Sequence, residues 1–183
     1  MKVAITGNIG SGKSEVLNII KNSGYECCSA DEINSKLLTK KRIQNKVLEL
    51  LELDTFSKEE ISRTIFSDAT KRQKLENFLH PLILVEIEKI TKDKKLVFVE
   101  VPLLYEAKWE LFFDRVILCS VSKEVAIKRL VASRGFDYQT ALCRYNSQLA
   151  NEEKIALADY VIDNEGDYQQ LVNKVQELLH ENF

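Results

Sequence analysis

Short apolar runs recur along the chain, separated by longer stretches with helical patterning. The runs are VAI at 3–5, YECCS at 25–29, LVFVEV at 96–101, RVILCSV at 115–121 and DYVID at 159–163. Runs of this length, several of them β-branched, predict five buried strands. Strands that alternate with helices predict a parallel sheet covered on both faces, an α/β fold with three layers.

The runs are unevenly spaced. About 65 residues separate the second from the third, far more than one crossover helix needs. The stretch is rich in helix formers, as in EINSKLLTKKRIQNKVLELLEL, SKEEISRTIF and DATKRQKLENFLHPLILVEIEKITKDKK. It predicts a helical insertion over residues 31–94. A smaller insertion follows the fourth run: SKEVAIKRLVASRG and FDYQTALCRYNSQLA read as two helices joined at RGFD, a lid over about 129–150. The 183 residues therefore read as a single domain, 1–183, with two insertions.

Composition adds exclusions. A net charge of -2 and a pI near 5.8 argue against a nucleic-acid partner or a membrane-surface protein. No apolar run approaches the ~18 residues of a membrane span, and the N-terminus lacks a signal-peptide pattern. Cys27, Cys28, Cys119 and Cys143 have no metal-binding spacing and read as thiols of a reducing cytoplasm.

The chemistry begins at GNIGSGKS, residues 7–14, which fits G-x-x-x-x-G-K-[ST] between a strand and a helix. Glycines let successive backbone N–H groups turn inward, and the helix N-terminus adds unpaired donors and a favourable dipole. Lys13 can bridge the β- and γ-phosphates, and the Ser14 hydroxyl can ligate Mg²⁺. Asn8, Ile9, Gly10, Ser11, Gly12, Lys13, Ser14 and Glu15 are thus expected around ATP. The GTPase motifs NKxD and DxxG are absent, since NKVQ at 173–176 lacks the Asp. Glu100, near the end of the third run, leaves a mechanical ATPase open. The two helical insertions instead resemble those of small-molecule kinases, whose lids exclude water. A kinase of another small acceptor, such as a nucleoside monophosphate, and a nucleotide-binding regulatory module remain as alternatives.

In SADEI, Asp31 falls just past the second run, on the rim where open parallel sheets bind ligands. A carboxylate there can orient an acceptor hydroxyl and take its proton, or it can cap the helix that follows; the residues alone leave both readings standing. Arg129, Arg134 and Arg144 surround the lid turn, and Arg134, beside Gly135, is the expected phosphate contact. The TKKRIQNK run at 39–46 reads as a solvated helix face. Pro81 is expected to kink its helix or start a new one, with His80 capping or hydrogen-bonding. Pro102 should end the third strand; Leu103, Leu104 and Tyr105 read as loop packing or acceptor contacts, and Glu106 as a contact to a polar part of the acceptor.

TGNIGSGKS, SADEI, RTIF, HPLI, VPLLYE, KRLVASRG and ADYVIDNEG resemble, in order and spacing, the motifs of dephospho-coenzyme A kinases over nearly the whole chain. The resemblance implies transfer of the γ-phosphate of ATP to the ribose 3′-hydroxyl of dephospho-CoA, with Mg²⁺. It implies an acceptor-binding role for the 31–94 insertion and Asp31 as base near the metal, so that Ser14 and Asp31 are the expected metal ligands; a monomer is the expected state, which the sequence itself does not give. It also implies acceptor contacts from His80, Pro102, Leu103, Leu104 and Glu106, and places the Asn164 loop near adenine. Two positions depart from the family's pattern. Asn8 stands where a Gly is usual, and tolerance of left-handed φ is the expected reason that Asn serves. Ser29 stands where the family's first Asp of D-A-D falls, so Asp31 acts alone or with Glu32 or Glu100.

Overall fold

The computed structural model describes the whole chain, Met1–Phe183. Two compact units make it up: Met1–Ser29 together with Lys94–Phe183, and Ala30–Asp93.

In the first unit all five expected strands form. They are β1 (Lys2–Thr6), β2 (Glu26–Ser29), β3 (Val97–Glu100), β4 (Arg115–Ser120) and β5 (Tyr160–Asp163). Every neighbouring pair is parallel, in the order β2-β3-β1-β4-β5. The register sets Ile5 beside Glu100 on one side and Ile117 on the other. Helix α1 (Lys13–Asn22) follows β1, and α9 (Tyr168–Asn182) closes the chain. Val16, Ile19 and Ile20 of α1 join Leu171, Val175 and Leu179 of α9 over Val3, Ile5, Phe98, Ile117 and Ile162. The alternate strand residues Ala4, Val97, Val99 and Leu118 are buried as well, the pattern of a sheet covered on both faces. An Asp167–Gln170 capping box starts α9.

The lid hairpin joins α6 (Lys123–Arg134) to α7 (Tyr138–Asn146). Gly135, at φ 65°, ends α6, and the Asp137 carboxylate accepts the Thr140 N–H to begin α7. Ile127, Leu130 and Ala141 form its small core. A helix not anticipated from the sequence, α8 (Asn151–Leu157), leads from the hairpin back to β5 and packs against β4.

The second unit is helical throughout: α2 (Ala30–Leu37), α3 (Lys41–Leu51), α4 (Lys58–Ser67) and α5 (Ala69–Thr91). The EINSKLLTKKRIQNKVLELLEL stretch forms two helices, separated at residues 38–40, where Thr39 Oγ1 donates to Lys36 O and Gln44 Nε2 to Leu38 O. Pro81 does not start a new helix, as the sequence allowed. Helix α5 runs through it because Leu75, Leu79, Ile83 and Ile87 form a buried stripe four residues apart, while Pro81 itself is exposed. Helices α2, α3 and α4 all pack on α5, and burial of that stripe offsets the ~3 kcal/mol that an interior proline costs. No helix is long and apolar enough to cross a membrane.

Candidate active site

The phosphate loop joins β1 to α1 within the first unit. Two of its glycines are required by contact. A Cβ on Gly7 would lie 2.2 Å from the Cys119 carbonyl oxygen, and one on Gly12, at φ 93°, would lie 2.3 Å from Asn164 Nδ2. Gly12 is also the N-cap of α1, so the first N–H groups of that helix open onto the loop. The only non-glycine residues with positive φ are Glu52 and Lys108. Asn8 therefore does not use left-handed tolerance, contrary to expectation. It is 1% exposed: its Nδ2 donates to Leu149 O at 3.2 Å, and its carbonyl accepts the Ser11 N–H.

Lys13 is buried and folds back over its own loop, donating to Gly7 O at 2.9 Å and Asn8 O at 3.1 Å. Burial lowers its pKa below the ordinary lysine value. The charges of Lys154 and Arg134 act in the same direction, and Cys119 and Glu100 act against it. Cys119, its thiol pushed up to about 11 by burial, stays protonated and donates to Ser11 O. Ser14 Oγ donates to Glu100 Oε1 at 3.0 Å, so the last residue of the loop meets the carboxylate that ends β3.

The lid and the loop after β5 also reach this region. Asn164 is buried, and its side-chain amide donates to Ser11 O at 2.7 Å. Its backbone oxygen accepts from Arg129 at 2.8 Å. The amide expected near adenine is thus committed to the phosphate loop, with Arg129 holding it from α6. Arg134 is exposed at the end of α6, close enough for its charge to act on Lys13. Arg144 stacks on Phe136, 4.7 Å from the ring centre. Ile9 sits against both hydrophobic clusters of the hairpin, while Glu15 is exposed in the first turn of α1.

After β3, Pro102 is half-buried, Leu103 is exposed and Leu104 is fully buried. Glu106 is engaged within the protein. Its Oε1 accepts the Leu149 N–H at 2.9 Å and lies 2.8 Å from Nζ of Lys154, which is 0% exposed. An ammonium buried that completely needs a counter-ion. Glu106→Ala is therefore expected to cost about 3 kcal/mol, or roughly 10 °C in melting temperature. The Glu106→Leu/Lys154→Met double variant should recover most of the loss, since an apolar pair of similar volume carries no stranded charge. Thermal melts of the single and double variants check this; a double variant less stable than Glu106→Ala would contradict it.

In the second unit Asp31 is exposed in the first turn of α2. That helix begins at Ala30, so Asp31 stands inside its first turn and not at the cap position the sequence left open. It follows Ser29, the last residue of β2, by two positions. His80, half-buried on α5, has its pKa lowered by burial, with Glu76 acting against it.

Sequence reasoning missed two residues of the first unit's site, Gln148 and Lys154. Gln148 Oε1 accepts the Ile9 N–H at 2.7 Å. Neither residue lies in a recognisable motif.

A β2-β3-β1-β4-β5 parallel sheet, a phosphate loop after its central strand and a helical lid define an ATP-dependent kinase of the P-loop class. A family model described as dephospho-CoA kinase matches residues 1–170. The chain belongs to the dephospho-CoA kinase family. It is 34% identical to a dephospho-CoA kinase of Rickettsia bellii, over 98% of this chain and 96% of that one. It is 31% identical to one of Helicobacter pylori, over 97% and 95%. Among solved structures, a dephospho-CoA kinase from Campylobacter jejuni superposes with a TM-score of 0.72 at 27% identity, covering 99% of this chain and 97% of that one. A shikimate kinase from Bacteroides thetaiotaomicron, at TM-score 0.60 and 17% identity over 99% and 97%, shares the fold.

Proposed function

We propose that this protein transfers the γ-phosphate of ATP to the ribose 3′-hydroxyl of dephospho-CoA, as a monomer in the cytoplasm. The observation that carries the reading is the family match over residues 1–170, which takes in the phosphate loop, the helical unit and the lid together. The N–H groups at the start of α1 bind the triphosphate, with Lys13 released from its loop carbonyls to the β/γ bridge. Mg²⁺ fits the paired oxygens of Ser14 and Glu100, hard ligands of the kind it takes beside phosphate oxygens and water. That ion would neutralise charge on the triphosphate. No group of three or more acidic, His or Cys side chains offers a fuller cage. Asp31 receives the acceptor hydroxyl's proton and orients its oxygen, with His80, Pro102 and Leu103 as acceptor contacts, whereas Leu104 is fully buried and Glu106 is held by Leu149 and Lys154. Arg134 meets the transferring phosphate, and the lid excludes competing water.

Arg134→Ala is expected to lower kcat roughly 10–100-fold, the value of a charge-assisted contact, while the dissociation constant for dephospho-CoA moves little. Unchanged kcat would return Arg134 to an ordinary solvated arginine. The reaction itself is tested on an acceptor panel of dephospho-CoA, AMP and shikimate with ATP and Mg²⁺. Phosphorylation of dephospho-CoA alone is expected; turnover of another acceptor in its place would overturn the assignment.

A further inference from the structure

Backbone N–H groups of a phosphate loop can donate to phosphate oxygen. In this chain the Ile9 N–H is given instead to a side chain, Gln148 Oε1, at 2.7 Å. Gln148 lies in the short segment between α7 and α8, and its neighbour is tied to the same loop, since Leu149 O accepts from Asn8 Nδ2. The other edge of Leu149 is fixed as well, because its N–H donates to Glu106 Oε1, the oxygen that pairs with the buried ammonium of Lys154. Asn151 at the start of α8 adds a bond to Ser120 Oγ at 2.9 Å, which ties this stretch to the end of β4. Ile9 meanwhile buries its side chain against Val121, Ala126 and Tyr145 on one side and Ile127, Leu130 and Ala141 on the other. Residues 148–154 thus form a strap anchored at Glu106 and β4, and Ile9 is where it grips the phosphate loop.

We propose that Gln148 is a positioning residue for ATP: through Ile9 it holds the phosphate loop in its nucleotide-binding shape, with the Glu106–Lys154 pair as the anchor of the strap. The inference rests on the ATP-binding reading above. It assigns the Ile9 N–H a structural role that persists when nucleotide is bound, leaving the donors at the start of α1 to the phosphates. The opposite arrangement would make Gln148 a stand-in for phosphate, displaced when ATP arrives. The two differ in sign. A positioning residue strengthens nucleotide binding, whereas a displaced occupant weakens it.

The test uses the full chain with Gln148→Leu, which keeps bulk and removes the acceptor. Mg·ATP binding is measured by calorimetry, and kcat, both KM values and the melting temperature are measured alongside. The expected result is a rise of about tenfold in Kd and KM for ATP, the effect of one N–H left without an acceptor. Dephospho-CoA KM and kcat should stay within about twofold, which a general loss of structure would not allow. Lys154→Met should raise the ATP Kd in the same direction. Gln148→Leu/Lys154→Met should fall short of the product of the two single effects, because both release one strap. Unchanged or tighter ATP binding by Gln148→Leu would overturn the proposal, and fully multiplicative effects would remove Lys154 from it. If the wild type binds ATP but leaves dephospho-CoA unphosphorylated, the functional reading fails while the titrations still decide the strap.

Discussion

Lys13→Ala is expected to reduce kcat by at least ~10²–10³-fold while the melting temperature stays near that of the wild type. Lys13 is buried at the loop, where its ammonium donates to the carbonyls of Gly7 and Asn8 and the Glu100 carboxylate favours its charge. Those two bonds are local, between residues five and six positions apart, so their loss disturbs little beyond the loop. Burial already disfavours the charge, and the nearby charges of Lys154 and Arg134 disfavour it further. A triphosphate reverses that balance, so the ammonium is worth most when phosphate charge is present and developing. The checks are single-turnover rates beside a thermal melt. Near-normal turnover in a folded Lys13→Ala protein would contradict the role assigned to the loop.

Asp31→Asn is expected to lower kcat by ~10²–10⁴-fold with the binding of both substrates preserved. Asn has nearly the same size and retains one acceptor oxygen, so it can still orient a hydroxyl, but it cannot take the proton. Asp31 stands in the first turn of α2 and not at its cap, so a cap defect is not the expected source of any loss. Its negative charge does favour the helix N-terminus, an effect of only ~0.3–1 kcal/mol on stability. The measurement is kcat for Asp31→Asn alongside dissociation constants for ATP and dephospho-CoA. Wild-type turnover would move the search for a base to Glu32 or Glu100.

The parts of this account that were legible in the sequence are those written in contiguous residues. The central strands β1, β3 and β4 form where apolar runs stand, because a parallel strand buried on both faces needs an unbroken apolar stretch, whereas the edge strands β2 and β5 are only partly buried, contrary to the expectation of five buried strands. The phosphate loop is an eight-residue pattern whose glycines meet the Cys119 carbonyl and the Asn164 amide. The break between α2 and α3 was not legible, because no glycine or proline marks residues 38–40. Of the two outcomes the sequence allowed at Pro81, a new helix does not form, because a buried stripe runs on both sides of it. Lys154 sits in NEEKIAL, where a lysine normally faces water, and only the tertiary fold places it at 0% exposure beside Glu106. Gln148 was hidden for the same reason, since its partner Ile9 is 139 residues away in sequence. Glu106 stood out in the sequence, but its partners Leu149 and Lys154 lie more than 40 residues further along the chain, so an internal role could not be told from an acceptor contact.

The central claim is phosphoryl transfer from ATP to the ribose of dephospho-CoA, and one measurement addresses it directly. The purified protein is incubated with ATP, Mg²⁺ and dephospho-CoA; the product is weighed by mass spectrometry and its new phosphate located by ³¹P NMR. The account predicts the gain of one phosphate, placed on the 3′-hydroxyl, with ADP formed in equal amount. ATP consumed with no phosphate gained by dephospho-CoA, or a phosphate found at any other position, would contradict it.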